Sequence, residues 1–303
     1  MNYLFHLLIL IEIYLILSLS LNLVVGYAGM LSLSHAAFYG VGAYMSATLM
    51  KGMLFLLETQ EFFIVLPVAV TATVLFSLAV SGPFFKLKGD YLALASIGLQ
   101  TVFFVMIYNL SWLTNGAFGI ADIPEPEILG YQVSEVRLPF FSGHTSSFFL
   151  FCSVITALCV WLLYRITVSP FGRALKTIRE DELAATSLGK NVKQLKITVF
   201  AIAAGFAAVA GVLFTSYAHY IDPTSFTLME SVFILSILII GGAGNFSGPL
   251  IGTALLILMP EALRFLQVPD AIAPNVRQII DGSLILLMMR YRPRGILGEY
   301  RFG

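Results

Sequence analysis

Charge is what this sequence has least of: 17 Lys and Arg and 17 Asp and Glu are spread over 303 residues, 11% in all. A soluble domain of ordinary composition carries about 25% charged residues to cover its surface. Here 58% of the residues are hydrophobic and the mean hydropathy is +0.90, so water is excluded as the solvent for most of the chain. The formal net charge of +0 excludes the basic footprint of a nucleic-acid-binding domain. Cysteine is nearly absent, and Cys152 and Cys159 both lie inside one apolar run. Seven residues apart on a helix they share a face, where thiols act as inert packing groups, so neither a disulfide nor a metal is expected. No GxxxxGK[ST] cradle for nucleotide phosphates occurs, nor an HExxH or a Cys/His cluster with metal spacing, and no cofactor is expected. Ser32, Ser34 and His35 stand close in sequence without an orienting acid. Such neighbours seldom supply nucleophile–base geometry, so no catalytic residue is assigned.

What the chain does have is long apolar runs. Crossing a hydrocarbon layer of about 30 Å takes about 20 residues in a helix. Residues 4–25, 36–57, 62–82, 92–113, 147–168, 197–217 and 246–265 meet that length, and 228–240 and 276–289 are shorter. In lipid the backbone must satisfy its own polar groups, so these runs read as helices. The first has no Lys or Arg before it and carries Glu12 within it, which argues for a retained helix rather than a cleaved signal peptide. The expected fold is all-α: a polytopic transmembrane bundle of about eight to ten helices, one domain over residues 1–303, embedded in the lipid bilayer.

Orientation follows from the basic loops, which stay in the cytoplasm. Residues 165–196 hold Arg165, Arg173, Lys176, Arg179, Lys190, Lys193 and Lys196, while Lys86 and Lys88 mark a second short loop. The C-terminal tail carries Arg290, Arg292, Arg294 and Arg301, and residues 114–146 carry Asp122, Glu125, Glu127 and Glu135 against Arg137 alone. The acidic loop is therefore expected outside and the C-terminus inside. Before Lys86 the parity stays open, because residues 26–35 also read as a re-entrant segment. A cysteine introduced beside Lys190 is expected to escape an impermeant thiol reagent in intact cells and to react once the membrane is opened. Strong labelling of intact cells would reverse the topology.

Two glycine-rich breaks interrupt the apolar pattern. They are Gly26-Tyr27-Ala28-Gly29-Met30-Leu31-Ser32 and Gly241-Gly242-Ala243-Gly244-Asn245-Phe246-Ser247. Matched interruptions in two halves of a transporter mark a duplicated core whose broken helices border the pathway, and chance recurrence of a common membrane residue is the other reading. On the first view Gly26, Gly29, Ser32, His35, Gly241, Gly244 and Ser247 line the translocation route. Ala203, Ala207 and Gly211 form a small-residue stripe, suited to close packing within the bundle or between subunits. Among the carboxylates Glu12 lies deepest, and Asp281, Glu230 and Glu261 sit nearer segment ends. One deep carboxylate suits a structural hydrogen bond better than a proton relay, which needs several in register.

Residues 169–189 are the most informative polar stretch. Gly172 is expected to break any helix continuing from the membrane. From Arg173 the apolar positions Ala174, Leu175, Ile178, Ala185 and Leu188 recur mainly at three- and four-residue steps, and Gly189 is a natural helix stop. This reads as one short amphipathic cytoplasmic helix. Glu180, Asp181 and Glu182 disfavour an anionic lipid surface, so docking to a cytosolic partner is the preferred role.

Taken in order, several stretches resemble the LivM-type permeases of branched-chain amino-acid ABC importers over nearly the whole length. They begin with Leu21-Asn22-Leu23, Gly26-Tyr27-Ala28-Gly29, Ser32-Leu33-Ser34-His35-Ala36-Ala37-Phe38 and Gly42-Ala43-Tyr44. Gly89-Asp90-Tyr91, Gly119-Ile120 before Pro124, residues 169–189, Gly241-Gly242-Ala243-Gly244 with Gly248-Pro249, and Arg292-Pro293-Arg294-Gly295 complete the set. The resemblance implies a non-enzymatic inner-membrane subunit that pairs with a second, LivH-like permease. It also implies two cytosolic ATP-binding subunits and a periplasmic amino-acid-binding protein. The 173–189 stretch is then similar to the coupling loop of ABC importers, written EAA followed by glycine, except that Leu183 separates Glu182 from Ala184-Ala185. Ala184, Ala185 and Leu188 are expected to enter a groove of the ATPase, with Arg179, Glu180 and Asp181 at its polar rim, Arg173 and Glu182 in the same coupling element and Gly189 ending it. Import of urea, short amides or other amino acids by the same architecture remains open. An ion-coupled secondary transporter is the rival from another class, and it has no use for a docking helix.

Overall fold

The computed structural model describes residues 2–53, 59–85, 87, 89–128, 130–133, 144–265, 273–292 and 295–298. Of the charge pattern above, Lys86, Lys88, Glu135, Arg137, Arg294 and Arg301 lie outside the described residues, as does the side chain of Asp281. The apolar runs become α1 (Asn2–Asn22), α2 (His35–Met50), α3 (Phe62–Phe84), α4 (Asp90–Asn109) and α5 (Ser111–Thr114). They continue as α6 (His144–Val168), α7 (Pro170–Glu180), α8 (Glu182–Ser187), α9 (Val192–Ala218), α10 (Leu228–Gly241), α11 (Ser247–Phe265) and α12 (Ala273–Tyr291). The strands are β1 (Glu127–Ile128) and β2 (Tyr131–Gln132), paired as a small antiparallel hairpin. The protein is an all-α multi-pass membrane bundle.

Among the described residues, five helices are long and apolar enough to span a membrane: α1 with its extension to Tyr27, α3, α4, α6 and α9. α1 and α9 are mostly buried and form the centre, while α3 and α4 leave most of their apolar surface outward, where lipid replaces water as the solvent. α2 is only 16 residues long and almost entirely buried. At 1.5 Å per residue it is about 24 Å long, too short to cross the hydrocarbon alone. It lies against α9 because side chains are missing at the crossing. A Cβ on Gly42 would sit 2.5 Å from Ala208 Cα, and one on Gly211 would collide with the Tyr39 carbonyl. Ala203, Ala207 and Gly211 are all buried within the chain, so the small-residue stripe packs inside the bundle.

Side-chain contacts give α1 a direction. The His6 ring bonds Tyr217 at one end, whereas α7 meets Gly26 and Gly29 at the other. α1 therefore starts on the side opposite the basic 165–196 segment, and the parity left open by the sequence is fixed. Residues 120–123 of the acidic loop pack over α1's starting side. Ile120 and Ile221 exchange backbone bonds of 2.8 and 3.0 Å, Ile123 N–H donates to the His219 carbonyl at 3.0 Å, and Lys51 reaches the Ala121 carbonyl at 2.5 Å. Past Tyr27 the chain turns at Gly29 and runs back without regular structure through residues 30–34 before α2 begins. His35 sits level with Ser20, to which its Nε2 is bonded at 2.8 Å. Ser20 lies six residues, about 9 Å, before Gly26 along α1. Residues 28–34 are thus re-entrant, and α2 starts inside the bundle.

The amphipathic stretch differs from its expected form. The break after α6 falls at Ser169 and Pro170, the first caps α7 by accepting from Gly172 N–H and the second occupies the first turn, where its missing N–H costs nothing. Gly172 lies inside α7, close against the Thr167 carbonyl, so it permits a close approach and does not break the helix. The single helix expected to Gly189 is divided at Asp181, whose extended backbone ends α7 and whose carboxylate accepts from Leu183 N–H and Ala184 N–H at 2.8 and 3.1 Å. A carboxylate at this position caps the new helix and favours its positive end. Gly189, with φ of +74°, closes α8, its N–H on Thr186 O at 2.9 Å and Lys190 N–H on Ala185 O at 3.1 Å.

Candidate functional site

The two glycine breaks and the amphipathic helix, 150 and more residues apart in places, meet at one end of the bundle. The last turn before the first break is π-helical, Leu23–Tyr27, with every residue buried. Gly26 in that turn faces the second break, where a Cβ would collide with Asn22 Oδ1 and Gly244 N. Asn22 holds the junction with both ends of its amide: Oδ1 accepts from Gly244 N–H at 3.0 Å, and Nδ2 donates to the Asn245 carbonyl at 2.8 Å. Gly29 and Gly244 take left-handed φ values of +69° and +81°, which glycine adopts without the Cβ penalty. The breaks therefore share a left-handed glycine at the fourth position, and they differ at the second, where Tyr27 is π-helical and Gly242 has φ of +112°.

Behind the second break, α10 and α11 form a tight hairpin. A Cβ on Gly241 would collide with the Gly248 carbonyl. The open C-terminal carbonyls of α10 are taken up by the chain's tail: Ile296 N–H donates to Ile240 O and Leu297 N–H to Gly241 O, each at 3.0 Å. Asn245 Nδ2 adds a bond to Leu297 O at 2.9 Å. The tail segment 295–298 and the basic loop consequently lie on the same side of the bundle. Ser247 opens α11, exposed, its N–H on Asn245 Oδ1 at 3.1 Å.

Ser32 and His35 do not join this junction. Ser32 is bonded to Ser34 at 3.0 Å, and His35 lies deeper, against Ser20. They belong to a buried polar string that the sequence reading passed over. Ser96 Oγ accepts from Leu33 N–H at 2.8 Å, Ser231 Oγ accepts from Ala36 N–H at 3.0 Å and donates to Gln100 Oε1 at 3.2 Å, and Gln100 Nε2 donates to Phe226 O at 2.7 Å. These groups satisfy the backbone of the re-entrant segment and the start of α2, as burial away from water requires. Their signal in the sequence was a lone Gln100 inside an apolar run. The carboxylates likewise bridge helices: Glu12 accepts from Ser153, Glu261 from Tyr3, and Glu230 from Tyr14 at 2.5 Å.

The coupling candidates divide by the direction they face. Arg179, expected at a polar rim, is turned into the protein, its side chain 8% exposed. Its Nη1 donates to the Gly26 carbonyl at 2.8 Å, and its Nε and Nη2 reach the exposed Glu180 carboxylate at 3.0 and 2.6 Å. Ala185, expected in a partner's groove, is fully buried within this chain because α8 seats on that side. Leu183 and Leu188 are instead 79% and 72% exposed, with Ala184 exposed between them. Arg173 is exposed and bonds the Val168 carbonyl at 3.3 Å, and Glu182 pairs with Lys196. Leu183, set aside as an interruption of the motif, is thus the most exposed of the apolar residues here.

A family model described as "Branched-chain amino acid transport system / permease component" matches residues 3–289. The chain is 32% identical over 299 residues to the high-affinity branched-chain amino acid transport system permease protein LivM of Escherichia coli (strain K12), covering 94% of this chain and 68% of that protein. It is 26% identical over 325 residues to the probable branched-chain amino acid transport permease protein LivM of Methanocaldococcus jannaschii, covering 95% and 91%. The permease protein LivH of Escherichia coli (strain K12) is 24% identical over 294 residues, covering 94% and 91%. No solved structure gives a significant match.

Proposed function

We propose, from the premise that this chain belongs to the branched-chain amino acid transport permease family, that it is the membrane-spanning half of an ATP-driven importer for leucine, isoleucine and valine. In this reading the basic side of the bundle faces the cytoplasm of a bacterial cell and the acidic loop faces the periplasm across the inner membrane. A second, LivH-like permease pairs with it, a periplasmic binding protein delivers the amino acid, and two cytosolic subunits hydrolyse ATP. The observation that carries the reading is α8. It presents Leu183 and Leu188 to solvent on the basic side while seating Ala185 inward. A capped helix of 6 residues with two exposed leucines suits a partner's groove, and a transporter that works alone has no need of one.

The test is reconstitution with a second permease and two ATP-hydrolysing subunits of the same family of importers, in vesicles supplied with binding protein outside and ATP inside. Leucine uptake is expected to require ATP hydrolysis and to be competed by isoleucine and valine. Uptake driven by an ion gradient without ATP would remove the reading. Uptake of urea or an amide with no leucine uptake would keep the ATP-driven architecture and change the solute.

A further inference from the structure

We propose that Arg179 is the positioning residue through which the α7–α8 element moves the first helix break, and that Asn22 carries the displacement to the second. This rests on the coupling role proposed above.

The carbonyls of a helix's last turn have no partner inside the helix, and that end carries a partial negative charge. At the end of α1 the Gly26 carbonyl receives a guanidinium from another element, 2.8 Å away and nearly closed off from solvent. The Nε and Nη2 edge of the same rigid fork donates to Glu180 Oε1 at 3.0 and 2.6 Å, which fixes its plane. Gly29 lies against the stem of the same residue: a Cβ there would stand 2.8 Å from Arg179 Cγ and 3.4 Å from its Cα. Arg179 therefore grips the break at two points, by a charge-assisted bond on Gly26 and by backbone contact at Gly29. A pull on α7 loads the bond, and a push loads the contact. Lys176 adds a second tie, its ammonium 5.3 Å above the Tyr27 ring.

From Gly26 the line continues without a gap. Gly26 abuts Gly244 N, and Asn22, four residues earlier on α1, clasps Gly244 and Asn245 with both ends of its amide. A displacement of α7 thus reaches the α1 end and the α10–α11 hairpin through directed bonds, in the part of the chain where left-handed glycines replace regular helix. Rigid elements joined by discrete contacts are what a two-state transition transmits through.

The experiment uses the whole importer, with its ATPase subunits and binding protein, and reads ATP hydrolysis and leucine uptake in the same vesicles. Arg179→Met keeps the stem and removes the guanidinium. It is expected to retain the ATPase subunits and most of the hydrolysis while uptake per ATP falls about tenfold, within the range of allosteric coupling. Asn22→Leu is expected to do the same, and the double variant to be little worse than either single one, as for two links of one line. An uptake-to-hydrolysis ratio within twofold of the wild type for Arg179→Met overturns the proposal. So does loss of the ATPase subunits from that variant, which would place Arg179 in the docking surface. If Arg179→Met fails to insert, Asn22→Leu decides on the same ratio. A wild-type complex that retains no ATPase would instead refute the coupling reading itself.

Discussion

Gly26→Ala is expected to reduce uptake at least tenfold at an unchanged level of protein in the membrane. The added methyl collides with Asn22 Oδ1 and with Gly244 N. Neither is free to swing away: the Asn22 amide is held by one hydrogen bond at its Oδ1 and one at its Nδ2, and Gly244 N is backbone. Overpacking of this kind costs about 1–3 kcal/mol. Parting Asn22 from Gly244 leaves a buried N–H without its acceptor, worth about another 1–3 kcal/mol. The conformations of a protein that works by switching differ by only a few kcal/mol, so a wedge of that size displaces the equilibrium between them. The damage is local, because helices formed within apolar segments keep their own backbone bonds in lipid. Gly98→Ala is the control: nothing lies within 4 Å of a Cβ at that position, and uptake is expected to stay at the wild-type level. Quantitative immunoblotting of membranes beside leucine uptake checks both variants. Full uptake by Gly26→Ala would reduce the junction to incidental packing. A parallel fall in membrane level would make it a folding site.

How much of this was legible beforehand depended on whether the signal was local. Apolar length is local, so the helices fell where the runs lay, and the acidic and basic loops sorted to opposite ends. Left-handed glycine is nearly local: Gly189 reads as a helix stop, Gly29 and Gly244 as parts of breaks, and they adopt φ values of +74°, +69° and +81°. Which helices are central was not legible, because a helix facing lipid and one facing protein are both apolar all round, and α1 and α9 read much like α3. Asp181 reads in sequence as part of a polar rim because a side chain that caps a helix looks like any surface carboxylate. Arg179 was misassigned for a related reason. A charge goes to water unless a fixed partner waits for it, and its partner is a backbone carbonyl 153 residues away. Ala185 failed differently: α8 is short and starts anew at Asp181, so the helical phase carried on from Arg173 does not hold through it.

That change of phase sets the second large effect. Leu183→Glu combined with Leu188→Glu is expected to release the ATPase subunits, with retention falling about a hundredfold or more, while the permease inserts and pairs as before. Both side chains are mostly exposed in the isolated chain, 79% and 72%, so the substitutions disturb little packing within it. Burying a leucine in a partner's groove contributes about 1.5–3 kcal/mol, and two of them together are worth about two to four powers of ten in affinity. Placing carboxylates in the same groove adds the cost of desolvating unpaired charge. Ala185→Glu should also lose the subunits, but by another route. Its methyl is fully buried beneath α8, and a carboxylate there has to unseat the helix from its own protein. Amide exchange separates the two: the backbone bonds of α8 stay protected in the leucine double variant and lose protection in Ala185→Glu. Co-purification with the ATPase subunits and substrate-stimulated hydrolysis complete the measurement. Should the double variant keep its ATPase subunits and full hydrolysis, α8 is not the surface through which the importer is driven.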